Sequence, residues 1–219
     1  MELSTLLATP IHADGLLGVA IGLGLAAAAG FRVFVPLLAA AVAAKSGLLP
    51  LAPGFTWLAT TPALAALATA TLLEIGAYAI PWLDQLLDVM ATPAAMLAGM
   101  LATASVVVDL PPLLKWTAVV LAGGAAGLTQ GATVLTRLKS TTLTGGAANP
   151  VVAVFELVGA VVTSLFALFL PILAVVGVLL GVVLVARKMH RVVFGRRGAM
   201  ASREQLLAGG GPPRVPRGP

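Results

Sequence analysis

Six apolar runs follow one another along the chain, and short segments with proline, glycine or charged residues separate them. Each run reaches or approaches the length of about 20 residues that an α-helix needs to cross the hydrocarbon core of a bilayer. The pattern therefore predicts an all-α fold, a polytopic transmembrane helix bundle with about six spans. The predicted spans are Leu16–Ala44, Pro62–Ile80, Pro93–Val108, Leu113–Leu135, Pro150–Phe169 and Pro171–Ala186.

Two segments need an interpretation beyond simple spans. The last two runs could form one helix kinked at Pro171, but about 37 helical residues would extend about 55 Å. Because the hydrocarbon core is only about 30 Å thick, two separate helices are predicted.

The segment Trp82–Thr92 carries Leu83, Leu86 and Leu87 at helical spacing, with acids on other faces. That spacing predicts a short amphipathic helix at the cytoplasmic interface.

Composition and charge agree with a membrane protein. The chain is 59% hydrophobic and 10% charged, whereas soluble domains carry about 25% charged residues. Much of the net charge of +5 comes from basic residues after the last run, and short basic segments stay cytoplasmic. With six spans, both termini of a multi-pass cell-membrane protein are then cytoplasmic. The predicted organisation is an N-terminal segment 1–15, a bundle 16–190 and a basic, largely disordered tail 191–219.

Small residues recur every four positions in the first and fourth runs. This spacing puts them on one helix face, where a neighbouring backbone can approach closely. We expect the two faces to pack against each other across the bundle centre. A proline-opened span with a glutamate follows each run, which predicts two inverted three-helix repeats or, alternatively, only generic small-residue packing. The two glycine ladders are Gly18, Gly22 and Gly30, and Gly123, Gly127 and Gly131.

Three ionisable residues lie within apolar runs. A charge there costs about 2.5–3.5 kcal/mol and needs a partner or a wet cavity. Arg32 is expected to pair with Glu74, and Glu156 is the second acid within reach. Thr129 and Thr133 share a helix face and could line a cavity, or their hydroxyls could bond to their own helix. These five residues form the predicted substrate or ion site; the alternative for the charges is a structural ion pair or snorkelling to the interface.

Other site chemistries find little support in the sequence. The absence of cysteine excludes disulfides, thiolate chemistry and cysteine-ligated metal. His12 and His190 lie outside the spans and far apart, so no metal site, no cofactor and no enzymatic activity are predicted. The expected partners are the lipid bilayer and anionic headgroups at the basic tail. Further copies of the same chain remain an open alternative, and nucleic acid is not an expected partner.

Several segments together are similar to a known family. The segments GFRVFVPLLAAAVAA, TPAAMLAG and NPVVAVFE and the acid-rich series at Leu72–Asp88 resemble the bacterial membrane family catalogued as domain of unknown function 4126. The resemblance extends from Leu17 to Leu184 and implies an integral membrane protein of unassigned activity. Two hypotheses remain. One is a small transporter or channel-like protein with a buried charged site, and the other is a non-transporting membrane scaffold or assembly factor.

Overall fold

The computed structural model describes residues 13–77 and 81–181 with the single positions 183, 184 and 187, and this part of the chain is mainly helical. Within this part there is no strand, which confirms the all-helical class. The predicted tail 191–219 and residues 1–12 lie outside the described residues. The helices are α1 Ala13–Ala29, α2 Phe34–Lys45, α3 Thr61–Ala77, α4 Pro81–Val106, α5 Pro112–Thr144, α6 Asn149–Phe169 and α7 Pro171–Gly181, with a short 3-10 turn at Thr56–Ala59.

The first apolar run is not one helix. Helix α1 ends at Ala29 and helix α2 begins at Phe34, so the segment 30–33 interrupts the predicted span. Gly30 offers no side chain to the crowded turn. Pro36 falls in the first turn of α2, where a missing backbone N–H costs no intrahelical hydrogen bond. The prediction of a single span from Leu16 to Ala44 was therefore wrong.

Helices α1 and α2 form an antiparallel hairpin. Asp14 near the start of α1 and Ala43 near the end of α2 line one cavity. Just beyond α2, the backbone N–H of Ala52 donates to the carbonyl oxygen of Ser105, near the end of α4, at 2.7 Å. Both ends of the hairpin therefore lie at one end of the bundle, which we call the hairpin base. The hairpin tip, residues 30–33, lies about 25 Å deeper, since α1 has 17 residues.

The first glycine ladder packs α1 against α4. A Cβ atom on Gly18 would lie 2.6 Å from the carbonyl oxygen of Val106, and one on Gly22 would lie 2.9 Å from the Cα of Thr103. No real side chain tolerates such distances to backbone atoms. The glycines thus allow two helix backbones to touch, and their pairing shows that α1 and α4 run in opposite directions.

The second ladder also faces α4. Gly123 lies against the side chain of Met100, and Gly127 lies against that of Met96. Gly131 has open space where its Cβ would be, so it takes no part in packing. The two ladders therefore do not face each other as predicted. The exception is Gly30 at the hairpin tip, which lies against α5.

The directions of the helices bear on the predicted repeat. Helices α1 and α5 both run antiparallel to α4, so they run parallel to each other. An inverted repeat built on the two ladders requires the opposite, because its equivalent helices cross in opposite directions. The spacing of the small residues therefore reflects the close packing of α1 and α5 on the same neighbour, α4. The two ladders do not support the inverted repeat.

Helices α4 and α5 are longer than the predicted spans. Helix α4 joins the predicted amphipathic segment Trp82–Thr92 to the third span and continues through Pro93. Helix α5 passes the predicted end at Leu135 and stops only at Gly145, which adopts the left-handed conformation typical of a helix C-terminus. Helices α6 and α7 are separate, with Leu170 between them, which agrees with the prediction of two helices at Pro171.

The outer faces of the helices are strongly apolar. Phe155 is 73% exposed and Leu72 is 70% exposed, while the interior is built largely from alanine. Helices α5 and α6 are long and apolar enough to cross a membrane. Contiguous exposed apolar surface of this kind is rare on soluble monomers. These features suggest a membrane protein.

Replacing Gly22 by leucine should destabilise the bundle, because the side chain would meet the backbone of Thr103. Overpacking of this kind costs about 1–3 kcal/mol. The matched control is Gly124→Leu, on an exposed face of α5 with open space around it. Thermal unfolding of the purified protein in mild detergent should show a lower midpoint for Gly22→Leu alone. Equal midpoints for the two variants would contradict the α1–α4 contact.

Candidate functional site

Four charged side chains converge around the hairpin tip. Arg32 belongs to the tip itself, Glu74 comes from α3, Arg137 from α5 and Glu156 from α6. All four are buried, and their exposed fractions lie between 2% and 9%. With both acids ionised their charges sum to zero, which is the arrangement that makes buried charge tolerable. Sequence analysis had named three of these residues as site candidates but not Arg137.

Glu74 caps the second half of the broken helix. Its Oε1 atom accepts a hydrogen bond from the backbone N–H of Val33 at 2.8 Å, and its Oε2 atom accepts one from that of Phe34 at 3.2 Å. These N–H groups at the start of α2 have no acceptor within the helix. A carboxylate is also favourable there because the N-terminal end of a helix is electrically positive. Glu74 therefore stabilises the interruption from a neighbouring helix.

Arg32 ties the hairpin tip to α6. Its Nη2 atom donates to the carbonyl oxygen of Ala153 at 2.9 Å. The guanidinium group also interacts electrostatically with the Glu74 carboxylate. Arg32 and Glu74 therefore lie at the same hairpin tip, because Glu74 binds the backbone of the residues that follow Arg32, and Arg32 links the tip to the first turns of α6. The predicted ion pair between the two side chains stays a prediction.

Arg137 and Glu156 form a buried ion pair between α5 and α6. The Nε atom of Arg137 donates to Oε1 of Glu156 at 2.9 Å, and its Nη2 atom donates to Oε2. Two parallel hydrogen bonds between guanidinium and carboxylate give the pair a fixed geometry as well as strength. Glu156 also lies beside the hairpin tip, because it lines one cavity together with Phe31. The two acids and two arginines therefore belong to one charged cluster.

Arg137 was missed because the fourth span was predicted to end at Leu135, leaving Arg137 in a cytoplasmic loop. In the structure α5 continues for two more turns, and a polar stripe follows one buried face of it. Gln130, Thr133 and Arg137 lie three and four residues apart and are all buried. The signal in the sequence was this helical spacing of polar residues beyond the apolar run.

The two predicted site threonines have different surroundings. The hydroxyl of Thr129 donates to the carbonyl oxygen of Ala125 at 3.1 Å, and that of Thr133 donates to the carbonyl oxygen of Gln130 at 2.8 Å. Both therefore bond to their own helix, the alternative that the sequence left open. Thr129 also packs on Gly30 at the hairpin tip. Thr133 lines a cavity beside Glu156.

That cavity gives the charged cluster a route to the bundle surface. Its volume is about 210 Å³, and Glu156 and Thr133 lie in its wall. Phe155 and Thr136, which also line it, are exposed on the outside of the bundle. The site therefore combines a neutral cluster of buried charges with a small adjoining space. Among the described residues, no group of histidine, cysteine, aspartate and glutamate side chains is arranged to hold a metal ion.

Comparison with known proteins gives a family and no assigned activity. The chain belongs to the family described as Domain of unknown function (DUF4126), whose model matches residues 19–191. No curated protein and no solved structure matches the chain.

Removing one member of the Arg137–Glu156 pair should destabilise the fold more than removing both. A single change leaves an uncompensated buried charge, which costs about 3–5 kcal/mol. The variants are Arg137→Met, Glu156→Met and the double variant, which replaces the pair by apolar side chains. Unfolding midpoints in detergent should fall strongly for each single variant and less than additively for the double variant. Additive losses would contradict a direct pairing.

Proposed function

We propose that this member of the DUF4126 family is a multi-pass membrane protein that acts as a small transporter or channel-like protein and not as an enzyme. The observation that carries the proposal is the convergence of Arg32, Glu74, Arg137 and Glu156 on the tip of a broken helical hairpin. Charged residues inside apolar bundles are costly and mark ion or substrate pathways in membrane proteins. The substrate or ion site of the proposal is this cluster with Thr129 and Thr133.

The broken helix supports a site at this position. Non-helical backbone at membrane depth is tolerated only where it is buried in protein or lines a cavity. Transporters use such interruptions as binding sites, because the freed backbone groups and helix ends can hold ions or polar groups. Here Glu74 occupies the start of α2. A proton bound to Glu74 would weaken its hold on the two backbone N–H groups, so we assign Glu74 the role of coupling acid.

The hairpin also supports a membrane topology different from the six-span expectation. We propose that α1 and α2 enter the membrane and return to the same side, while α3 to α7 each cross once. Lys139 near the end of α5 and the basic residues that follow α7 in the sequence then share the cytoplasmic side. The N-terminus lies on the opposite side under this proposal. Both termini were expected to be cytoplasmic because the first run was counted as one crossing.

The scaffold hypothesis keeps one specific observation in its favour. The hydroxyls of Thr129 and Thr133 donate to their own helix, and Arg137 and Glu156 satisfy each other. A cluster that is satisfied internally could serve only to lock the bundle. A non-transporting scaffold or assembly factor is therefore the second candidate, and its expected behaviour is the absence of any ion movement.

Ion flux through purified protein in liposomes tests the proposal. Proton, sodium and potassium gradients are imposed in turn, and a trapped pH dye or ion-sensitive dye reports movement. We expect flux above that of empty vesicles for the wild-type protein and strong loss for Glu74→Gln, which keeps the shape but not the charge. Asp14→Asn, an exposed acid at the hairpin base, is the matched control and should retain flux. Absence of proton, sodium and potassium flux would overturn transport of these ions and favour a scaffold.

Single-cysteine labelling tests the topology, and the cysteine-free chain gives a clean background. Asp14→Cys and Ser46→Cys lie at the two ends of the hairpin, and Lys139→Cys lies near the end of α5; all three positions are exposed. A membrane-impermeant maleimide should label the first two in intact cells and the third only after lysis. Labelling of Asp14→Cys and Ser46→Cys from opposite sides would instead show that the first run crosses the membrane once.

A further inference from the structure

The cavity beside Glu156 is lined by aromatic, hydroxyl and carboxyl side chains. Its volume is about 210 Å³, and it lies between α5, α6 and the hairpin tip. Two aromatic rings line it: Phe31, at the tip, and Phe155, on the first half of α6. Glu156 forms part of the wall although its side chain is only 7% exposed. A buried charge therefore borders a small, largely apolar space.

Every polar residue in this wall has a side-chain oxygen that can accept hydrogen bonds. An ionised carboxylate is an acceptor only. The hydroxyls of Thr133 and Thr136 already donate to carbonyl oxygens of α5, so their oxygen lone pairs remain for a ligand. Aromatic rings attract cations through the negative charge on their faces. The wall therefore favours a ligand that donates hydrogen bonds and carries positive charge, and it disfavours anions.

The apolar residues in the wall favour an organic cation over a metal cation. Hard metal cations such as Ca²⁺ or Mg²⁺ require six or more oxygen ligands and hold their water strongly. Guanidinium and alkylated ammonium groups spread their charge, lose water more readily and are recognised by aromatic rings. The volume limits the ligand to a small number of non-hydrogen atoms.

The Glu156 carboxylate can accept hydrogen bonds from such a ligand while it stays paired with Arg137. A carboxylate has about four lone-pair sites, and two guanidinium nitrogens of Arg137 donate to the two oxygens of Glu156. A second cationic donor can therefore share Glu156 from the cavity side. Because the ligand and Arg137 then compete for the same carboxylate, binding would weaken the link between α5 and α6 next to the hairpin tip.

We propose that this cavity binds a small monovalent organic cation of the guanidinium or alkylammonium class, held by Glu156 and the rings of Phe31 and Phe155. The inference rests on the proposed function in that it names a substrate class for the same site. The cation would reach Glu156 past the exposed Thr136, from the polar end of α5 that carries the exposed Lys139.

Equilibrium binding to the purified protein in detergent tests the inference. Methylguanidinium chloride and dimethylammonium chloride, whose cations both carry N–H donors, are titrated by calorimetry against sodium chloride at equal ionic strength. Saturable heat is expected with at least one of the organic cations and not with sodium. Phe155→Leu keeps an apolar side chain but removes the ring, and it should weaken binding about fivefold. Its control is Phe169→Leu, an exposed ring at the far end of α6, which should bind as the wild type does.

Glu156→Gln should weaken binding about tenfold or more, but it also breaks the ion pair with Arg137. If Glu156→Gln does not fold, the effect of Phe155→Leu on binding decides whether the inference holds. No saturable binding of either organic cation, or binding unchanged by Phe155→Leu, overturns the inference. Binding of an organic cation without flux of that same cation into liposomes would overturn the transport proposal and leave the cation site standing. Ion flux without binding of an organic cation would overturn the cation site and leave the transport proposal standing.

Discussion

The hydrogen bonds from the backbone of Val33 and Phe34 to Glu74 are the interaction on which the architecture depends. A helix interrupted inside an apolar bundle exposes backbone N–H groups that have no helical acceptor and no bulk water. Each unsatisfied group costs several kcal/mol in such surroundings. The carboxylate of Glu74 supplies two acceptors at the point of interruption. The chain can therefore turn back at residues 30–33 without leaving its backbone unpaired.

The other buried charged residues are arranged around the Glu74 carboxylate. A carboxylate in the bundle interior needs positive charge nearby, and Arg32 lies in the same hairpin tip, where its Nη2 atom binds the backbone of α6. Arg137 and Glu156 add a neutral pair that joins α5 to α6 in the same region. Close packing makes these contacts possible, because Gly22 lets α1 touch α4 and Gly30 lets the tip touch α5. Small residues and buried charges thus act together to position one site.

Such an arrangement can support function because its parts are coupled. A change of charge at Glu74 would alter the start of α2, and a ligand at Glu156 would compete with Arg137. Both changes act on elements that meet at the hairpin tip. The proposed transport activity and the proposed organic-cation site are two consequences of one geometry, a neutral charge cluster next to a small space.

The amino-acid sequence by itself determined the all-helical class, the separation of α6 from α7 and most of the charged residues at the site. These features follow from local properties, namely the length of apolar runs, the position of prolines and the cost of burying charge. Only the tertiary structure decided that Leu16–Ala44 folds as a hairpin, that both glycine ladders face α4 and that Arg137 pairs with Glu156. Helical periodicity shows which residues share a face, but it does not show which helix covers that face. An apolar run of that length is equally compatible with one crossing or with a turn, and a carboxylate 40 residues away in the sequence makes the turn stable.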